Sequence, residues 1–302
     1  MKSSTLLLST APSRSLHKLL DKLRACWLLI KDLQTGLLMV TAVAGFTTAC
    51  CSNLAGGSLL GLMGSLFLTI GGSTVLNMVI DRDIDAKMSR TAHRPLPTGR
   101  IQPWEAWLLG SVMILSGLFW ALWMYWLFAL VVAAGIFLDV VVYTMWLKRR
   151  TPFSILLGGL SGGMPILAGR TLALGQLDAL GFLLAIGILL WIPTHIMTFS
   201  IKYQAEYSSA GVPTFPGRFG VQSTRWIIAA STLLAVGAMA TSGWLIALPQ
   251  LTFWLLLGLG GCLMVLVILG MVRPSKRLNF ALYKGASIYM LFTMFMIIAG
   301  GF

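Results

Sequence analysis

Acidic side chains are scarce in this chain. Only 9 of its 302 residues are Asp or Glu, against 22 Lys and Arg, and all four charged types make up 10% of the sequence. Soluble domains carry about 25% charged residues. A chain that is 57% hydrophobic has too few charges to solvate a water-exposed surface, so the composition excludes an ordinary soluble enzyme. The four cysteines, Cys26, Cys50, Cys51 and Cys262, include no CxxC pair, which excludes the common zinc and redox motifs. They read as small apolar residues. No low-complexity linker and no second domain interrupt the sequence. The net charge of +13 has no soluble basic domain behind it, so it gives no reason to expect a nucleic-acid partner. Basic loops facing an anionic leaflet of a lipid bilayer account for it better.

What is present is a series of apolar runs near residues 35–55, 58–80, 104–121, 124–147, 153–173, 178–201, 226–247, 250–272 and 282–302. A span needs about 20 residues, so these predict an all-α, polytopic membrane protein with nine transmembrane helices over residues 35–302. The cations alternate with the spans. Of 22 Lys and Arg, 21 lie in the N-terminal segment or in every second loop, and Arg170 is the exception. This bias predicts a cytoplasmic N-terminus and, with nine spans, a C-terminus outside, in a multi-pass cell-membrane protein. Arg170 and Asp178 are expected at the outer surface in a structural role. Residues 1–34 lack the apolar core and cleavage site of a secretory signal. Within them Leu16, Leu19, Leu20, Leu23, Trp27 and Ile30 recur at helical spacing among Lys18, Lys22 and Arg24. That predicts a cytoplasmic segment with an interfacial amphipathic helix.

Against this scarcity, three acids fall within five residues: Asp81, Asp83 and Asp85, in NMVIDRDIDAKMSRTAHRPLPTGR, Asn77–Arg100. Asn77, Asp81 and Asp85 are four apart and share one helix face, with Asp83 on the other side. Oxygen ligands at a helix end beside basic residues suit Mg²⁺, which is commonly held by one or two carboxylates plus substrate phosphates. Lys87, Arg90, Arg94 and Arg100 follow, and arginine is suited to phosphate. A metal-diphosphate site beside an apolar bundle calls for an amphiphile with a diphosphate head.

Two further segments face the same side. YTMWLKRRTPFSILLGGLSGGMP, Tyr143–Pro165, offers Lys148, Arg149 and Arg150 for phosphate or carboxylate, or for membrane anchoring alone. Its Gly158, Gly159, Gly162 and Gly163 allow close helix approach or room for a flat ligand. WIPTHIMTFSIKYQAEYSSAGVPTFPGRFG, Trp191–Gly220, carries His195, Lys202, Tyr203, Glu206 and Tyr207. His195, Lys202 and Glu206 are spaced for one helix face. Glu206 is placed to complete a second cation site, and Lys202 to contact diphosphate. Asp139 sits mid-span, either functional or paired with a hydroxyl or backbone group.

These three segments resemble the motifs of UbiA-superfamily membrane prenyltransferases, and within them those of the heme O synthases (protoheme IX farnesyltransferases). The resemblance runs from about Lys31 to the end. It implies transfer of the farnesyl group of farnesyl diphosphate to the 2-vinyl group of heme B, giving heme O and diphosphate. It implies Mg²⁺ on Asn77, Asp81 and Asp85. Arg94, Lys148 and Arg149 would hold diphosphate or heme propionates, with Lys31, Arg90, Lys202, Tyr143 and Tyr207 as further substrate contacts. His195 would belong to the heme pocket, and Glu206 would stand where other members carry a fuller second acidic motif. Heme A synthase or a terminal oxidase assembly would take the product. Prenylation of a quinone precursor or another lipid acceptor is the alternative. A transporter would instead show internal repeats and helices broken at mid-membrane. Neither is evident, and the ionisable residues gather at one face.

Overall fold

The computed structural model describes residues 14–49 and 56–301, and every regular element among them is helical. Cys50, Cys51 and the end of the first predicted span lie outside the described residues, as do residues 1–13. In chain order the helices are α1 (Arg14–Ile30), α2 (Asp32–Thr47), α3 (Gly56–Ile80), the short α4 (Arg82–Lys87), α5 (Pro103–Met124) and α6 (Trp126–Ile136). A π-helical continuation of α6 runs over Phe137–Leu147. Then come α7 (Ser154–Leu174), α8 (Ala179–Lys202), the short α9 (Gln204–Ser209), α10 (Phe215–Leu245), α11 (Gln250–Val272) and α12 (Lys276–Gly300).

Eight of these helices are long and apolar enough to cross a membrane, and the bent pair α1–α2, at 46°, makes nine if it counts as one span. The predicted ninefold count therefore depends on α2, which has only 16 residues. The bend falls at Lys31, whose left-handed backbone (φ 51, ψ 61) no α-helix can accommodate. α1 is the predicted amphipathic helix. Ala25, Leu29 and Ile30 pack inward, while Leu19, Leu20, Leu23 and Trp27 are exposed.

Local chemistry sets the helix ends. Gln102 and Glu105 form a reciprocal capping box around Pro103 at the start of α5. α5 and α6 are separated by Tyr125 alone, in an extended conformation, and its hydroxyl donates to the Gly175 carbonyl at 2.6 Å. The Asp178 side chain accepts from Gly181 N–H and caps α8. The large exposed side chains are mostly Leu, Phe, Val and Trp, as a lipid-facing surface requires. Exposed Trp residues mark both ends of the bundle: Trp104, Trp107 and Trp146 at one, Trp120, Trp123, Trp126 and Trp244 at the other.

α2 and α7 meet backbone to backbone. A methyl group on Gly45 would collide with the Ile166 carbonyl, and one on Gly169 with the Ala42 carbonyl. Small residues permit such contact between membrane helices. Near this seam Arg170 sits at the expected end of the bundle and in a structural pairing, but it is buried, only 7% exposed. Its Nε and Nη2 donate to the Asp178 carboxylate at 2.8 and 2.6 Å, and its Nη1 donates to Thr48 O and Oγ1, each at 2.8 Å. A buried guanidinium is stable only when its donors are met in this way.

Candidate active site

α3 ends at Ile80, yet the spacing of four survives the junction. Asp81 N–H donates to Asn77 O at 2.9 Å, and Asp85 N–H to Asp81 O at 2.8 Å. Asp81 and Asp85 are both buried, and Asp83 points to solvent. Each acid meets a cation. Lys148 Nζ donates to Asp81 Oδ2. Arg94 Nη1 donates to Asp85 Oδ2 at 2.7 Å. Arg149 donates to both oxygens of Asp83 at 2.6 and 2.8 Å, and to the last carbonyl of α3, Ile80 O, at 2.7 Å. Arg149 is thus a strut outside the buried row. Its hydrogen bonds hold the Asp83 carboxyl below the usual carboxylate range. For Lys148, burial disfavours the charge. Tyr143 and the Asp81 carboxylate outweigh it and hold the ammonium above its ordinary value.

The row extends one turn deeper than the sequence reading placed it. Ser73 Oγ and Asn77 Nδ2 donate to the same oxygen, Asp139 Oδ2, at 2.5 and 2.7 Å. Asp139 is thus paired with a hydroxyl, one of the two readings open to it, and it lines the central cavity.

The third segment folds over the first. The Arg90 guanidinium lies 5.0 Å from the Phe199 ring centre and 5.5 Å from that of Tyr203, and Glu206 Oε2 accepts from Arg90 N–H at 3.4 Å. Tyr207 packs on a small cluster that holds Ile84 and Met88. The common face expected for His195, Lys202 and Glu206 does not form. α8 stops at Lys202, and Tyr203 (φ −109, ψ 25) turns the chain before α9. Lys202 is exposed, over the Phe280 and Tyr203 rings at 4.3 and 4.9 Å. Lys31 lies within electrostatic reach of Arg94, Lys148, Asp139 and Asp85, presented there by its left-handed backbone.

Beneath this mouth, α2, α3, α6 with its continuation, α7, α8 and α12 enclose a cavity of about 640 Å³. That is ample for a drug-sized ligand or larger. Its surface is mostly Leu, Ile, Met and Gly. Ser73 and Asp139 stand on one wall, and His195, Tyr283 and Ser287 on the wall made by α8 and α12. Gly158 carries no side chain because the Tyr143 ring occupies that space. Gly162 abuts Ile192, and Gly163 the backbone of Ala185, so the glycine run serves helix packing while it also widens the cavity.

Asn77 Oδ1 and Asp81 Oδ1 are buried without a hydrogen-bond partner. Two unsatisfied oxygens one helical turn apart are costly unless something binds them. A hard cation meets that need, so the residues fit Mg²⁺. Among the described residues no group of three or more Asp, Glu, His or Cys side chains is placed to hold a metal alone. Such a site is incomplete until a substrate supplies oxygens. Among the described residues Glu206 belongs to no group of three or more such side chains, and its carboxylate accepts from Arg90 N–H.

Sequence reasoning missed Ser73, Trp191, Tyr283 and Ser287. Ser73 continues the spacing of four, and Tyr283 and Ser287 repeat it in α12, so polar groups at that interval inside a span were the available signal.

The site and fold define a membrane-embedded helical bundle with an ionic mouth over an apolar chamber. The UbiA prenyltransferase family matches residues 38–296, and the chain belongs to that family as a multi-pass membrane protein. It is 35% identical to the protoheme IX farnesyltransferase of Archaeoglobus fulgidus over 288 residues, covering 94% of this chain and 100% of that one. It is 38% identical to the protoheme IX farnesyltransferase of Korarchaeum cryptofilum over 208 residues, covering 69% and 70%. Among solved structures, one concerning digeranylgeranylglyceryl phosphate synthase superposes with a TM-score of 0.77 at 18% identity, covering 93% of this chain and 98% of that one. A UbiA homologue from Archaeoglobus fulgidus bound to GPP and Mg²⁺ superposes with a TM-score of 0.68 at 15% identity, covering 91% and 99%.

Proposed function

We propose that the protein transfers the farnesyl group of farnesyl diphosphate to the 2-vinyl group of heme B, giving heme O and diphosphate. The observation that carries the reading is the pair of unpartnered oxygens on Asn77 and Asp81, set among Lys148, Arg94 and Lys31 at the mouth of the apolar cavity. The identity to the Archaeoglobus fulgidus protein over its full length supports the choice of donor and acceptor.

Asn77, Asp81 and Asp85 are the residues to hold Mg²⁺. Bound there with diphosphate, the metal neutralises charge that grows on the leaving group. The chain's own cations add to this. Lys148 and Arg94 are now engaged by Asp81 and Asp85, and would be free to turn toward phosphate oxygens once those carboxylates held a cation. Cations held at the mouth in this way stabilise the leaving anion once they face it. Arg90, Arg149, Lys202 and Tyr207 rim the mouth, where heme propionates have cations to meet. Tyr143 and the cavity walls keep water from the allylic cation until the vinyl group has reacted. The N-terminus and the mouth face the cytoplasm of a cell membrane and the C-terminus lies outside, a placement supported by the cation distribution. The product passes to heme A synthase or to a terminal oxidase.

The test is to incubate purified protein with Mg²⁺, farnesyl diphosphate and heme B, and to weigh the extracted hemes. The expected product is heavier by a farnesyl group plus a hydroxyl. Unchanged heme B, together with prenylation of a hydroxybenzoate or naphthoate acceptor, overturns the acceptor assignment and keeps the donor.

A further inference from the structure

Heme O carries a hydroxyl that comes from water, so the proposed reaction needs a group to take a proton from that water. The cavity contains few polar side chains, and their hydrogen bonds sort them.

Ser287 Oγ lies 3.0 Å from His195 Nδ1. The same hydroxyl donates to the Tyr283 carbonyl, one turn earlier in α12, at 3.1 Å. A serine hydroxyl has a single proton. With that proton on Tyr283 O, Oγ is left to accept, so the hydrogen of the neutral imidazole resides on Nδ1. Nε2 then carries the lone pair. Two stacked rings resist its turning over. Trp191 stacks on one face at 5.0 Å between ring centres with 21° between planes, and Tyr283 stacks at 4.6 Å with 26°. His195 therefore meets the cavity through its edge. Nδ1 is held by α12, and Nε2 is the nitrogen left for whatever fills the chamber.

We infer that His195 Nε2 is the base that completes the reaction, with Ser287 as the positioning residue that fixes its tautomer. The inference rests on the farnesyl-to-vinyl reading above. The bond from farnesyl C1 to the diphosphate oxygen breaks, and the diphosphate keeps the electron pair. The vinyl π pair forms a carbon–carbon bond to C1, leaving a cation on the vinyl carbon next to the macrocycle. A water oxygen bonds to that carbon, and one of its protons passes to Nε2. The imidazolium so formed gives up the proton to solvent when product leaves. The overall change is heme B, farnesyl diphosphate and water to heme O, diphosphate and a proton. Asp139 is the other ionisable side chain on the cavity wall besides Tyr143 and Tyr283, and its Oδ2 already accepts from Ser73 and Asn77 across the chamber.

The inference has a signature that general damage to the site would not produce. When no base deprotonates the captured water, the cation sheds a proton from the adjacent carbon and yields an alkene. That product is farnesylated heme lighter than heme O by one water. The experiment compares wild type, His195→Gln, Ser287→Ala, Ser287→Thr and Asp139→Asn. The ratio of hydrated to dehydrated farnesyl-heme is read by mass spectrometry, with diphosphate release followed in parallel. His195→Gln is expected to release diphosphate but to shift product at least tenfold toward the dehydrated form. Ser287→Ala is expected to shift it partway, and Ser287→Thr to restore it, so the Ser287 pair carries the test if the His195 variant does not fold. Hydrated product at the wild-type ratio in His195→Gln or Ser287→Ala overturns the inference and leaves the farnesyltransferase reading intact. A dehydrated product confined to Asp139→Asn overturns it in favour of the carboxylate. A heme absorption band that shifts on binding to wild type but not to His195→Gln overturns it too, because the lone pair would be on iron. A wild-type protein that farnesylates no heme sinks the acceptor reading and this inference together.

Discussion

The two ends of the bundle treat charge in opposite ways. At the end that holds α4, Asp81, Asp83 and Asp85 are paired with Lys148, Arg149 and Arg94, and buried atoms stay unmatched: Asn77 Oδ1, Asp81 Oδ1 and Arg90 Nε. At the other end Arg170 meets Asp178 and Thr48 with no buried atom left over. The pair at α7 is a closed contact that joins helices. The pairs at the mouth are open contacts with valences to spare, as a site should be if ligands are to displace its internal partners. Charge alone would not have separated them; the unsatisfied atoms do.

The comparison breaks first at the closed end. Arg170→Met leaves Asp178 without its partner and Thr48 without a donor. Breaking a buried pair from one side costs about 3–5 kcal/mol. The expected result is a large drop in thermal midpoint in detergent, with turnover by the surviving folded protein near wild type. An unchanged midpoint would remove the distinction between the ends.

Asp81→Asn tests the open end. The expectation is a loss of about 10²–10³ in turnover, the scale for removing one preset electrostatic contact. The melting temperature should fall less than for Arg170→Met, because the amide keeps an acceptor for Lys148 and the change removes a buried carboxylate oxygen that has no partner. The checks are heme mass analysis and a melting curve on the same preparation. A fall in stability with full activity would make this pair structural like the other.

Asp83→Asn sharpens the contrast within the mouth itself. Asp83 is exposed, so its ion pair with Arg149 contributes little, under about 1 kcal/mol. Its carboxyl is held below the ordinary value by the Arg149 hydrogen bonds. The contribution is therefore present above the usual carboxylate pKa and fades as pH falls through the lowered folded value. Melting curves of wild type and variant should differ slightly at neutral pH and converge in strong acid. A difference that grows on acidification would contradict the assigned sign.

Much of this was legible from a single chain. The spacing of Asn77, Asp81 and Asp85 specified a shared face, and the face persists across the break at Ile80 because the i→i+4 hydrogen bonds continue. Apart from α10 and α12, which start at Phe215 and Lys276 rather than near 226 and 282, the alternation of cations with apolar runs placed the helices to within a few residues, except at α1–α2. There an unremarkable lysine adopts a left-handed backbone that no periodicity signals. The face joining His195 to Glu206 failed because nothing in the spacing of Trp191–Gly220 reveals where α8 ends. Burial of Arg170 was equally hidden: the sequence shows a cation between spans, and only the fold brings Thr48 to it. Arg149 shows the same limit, since a Lys-Arg run does not say which member turns into the chamber and which braces its rim.

The wide coil over Phe137–Leu147 has a consequence for phase. Asp139 and Lys148 are nine residues apart. In an ordinary helix that is about two and a half turns, and the two side chains would point in opposite directions. A π-helix takes about one residue more per turn, so nine residues make roughly two turns and bring Lys148 back over Asp139. The i→i+5 hydrogen bond from Lys148 N–H to Tyr143 O, at 2.9 Å, carries that pitch to the end of the segment. One stave of the barrel thus runs at a different gear ratio from its neighbour. Two residues that a uniform pitch would separate both engage α3 and its extension, Asp139 at Asn77 and Lys148 at Asp81. A single-residue deletion between Asp139 and Lys148 would break this phase and rotate the lysine away from the mouth while changing none of the residues that do the chemistry.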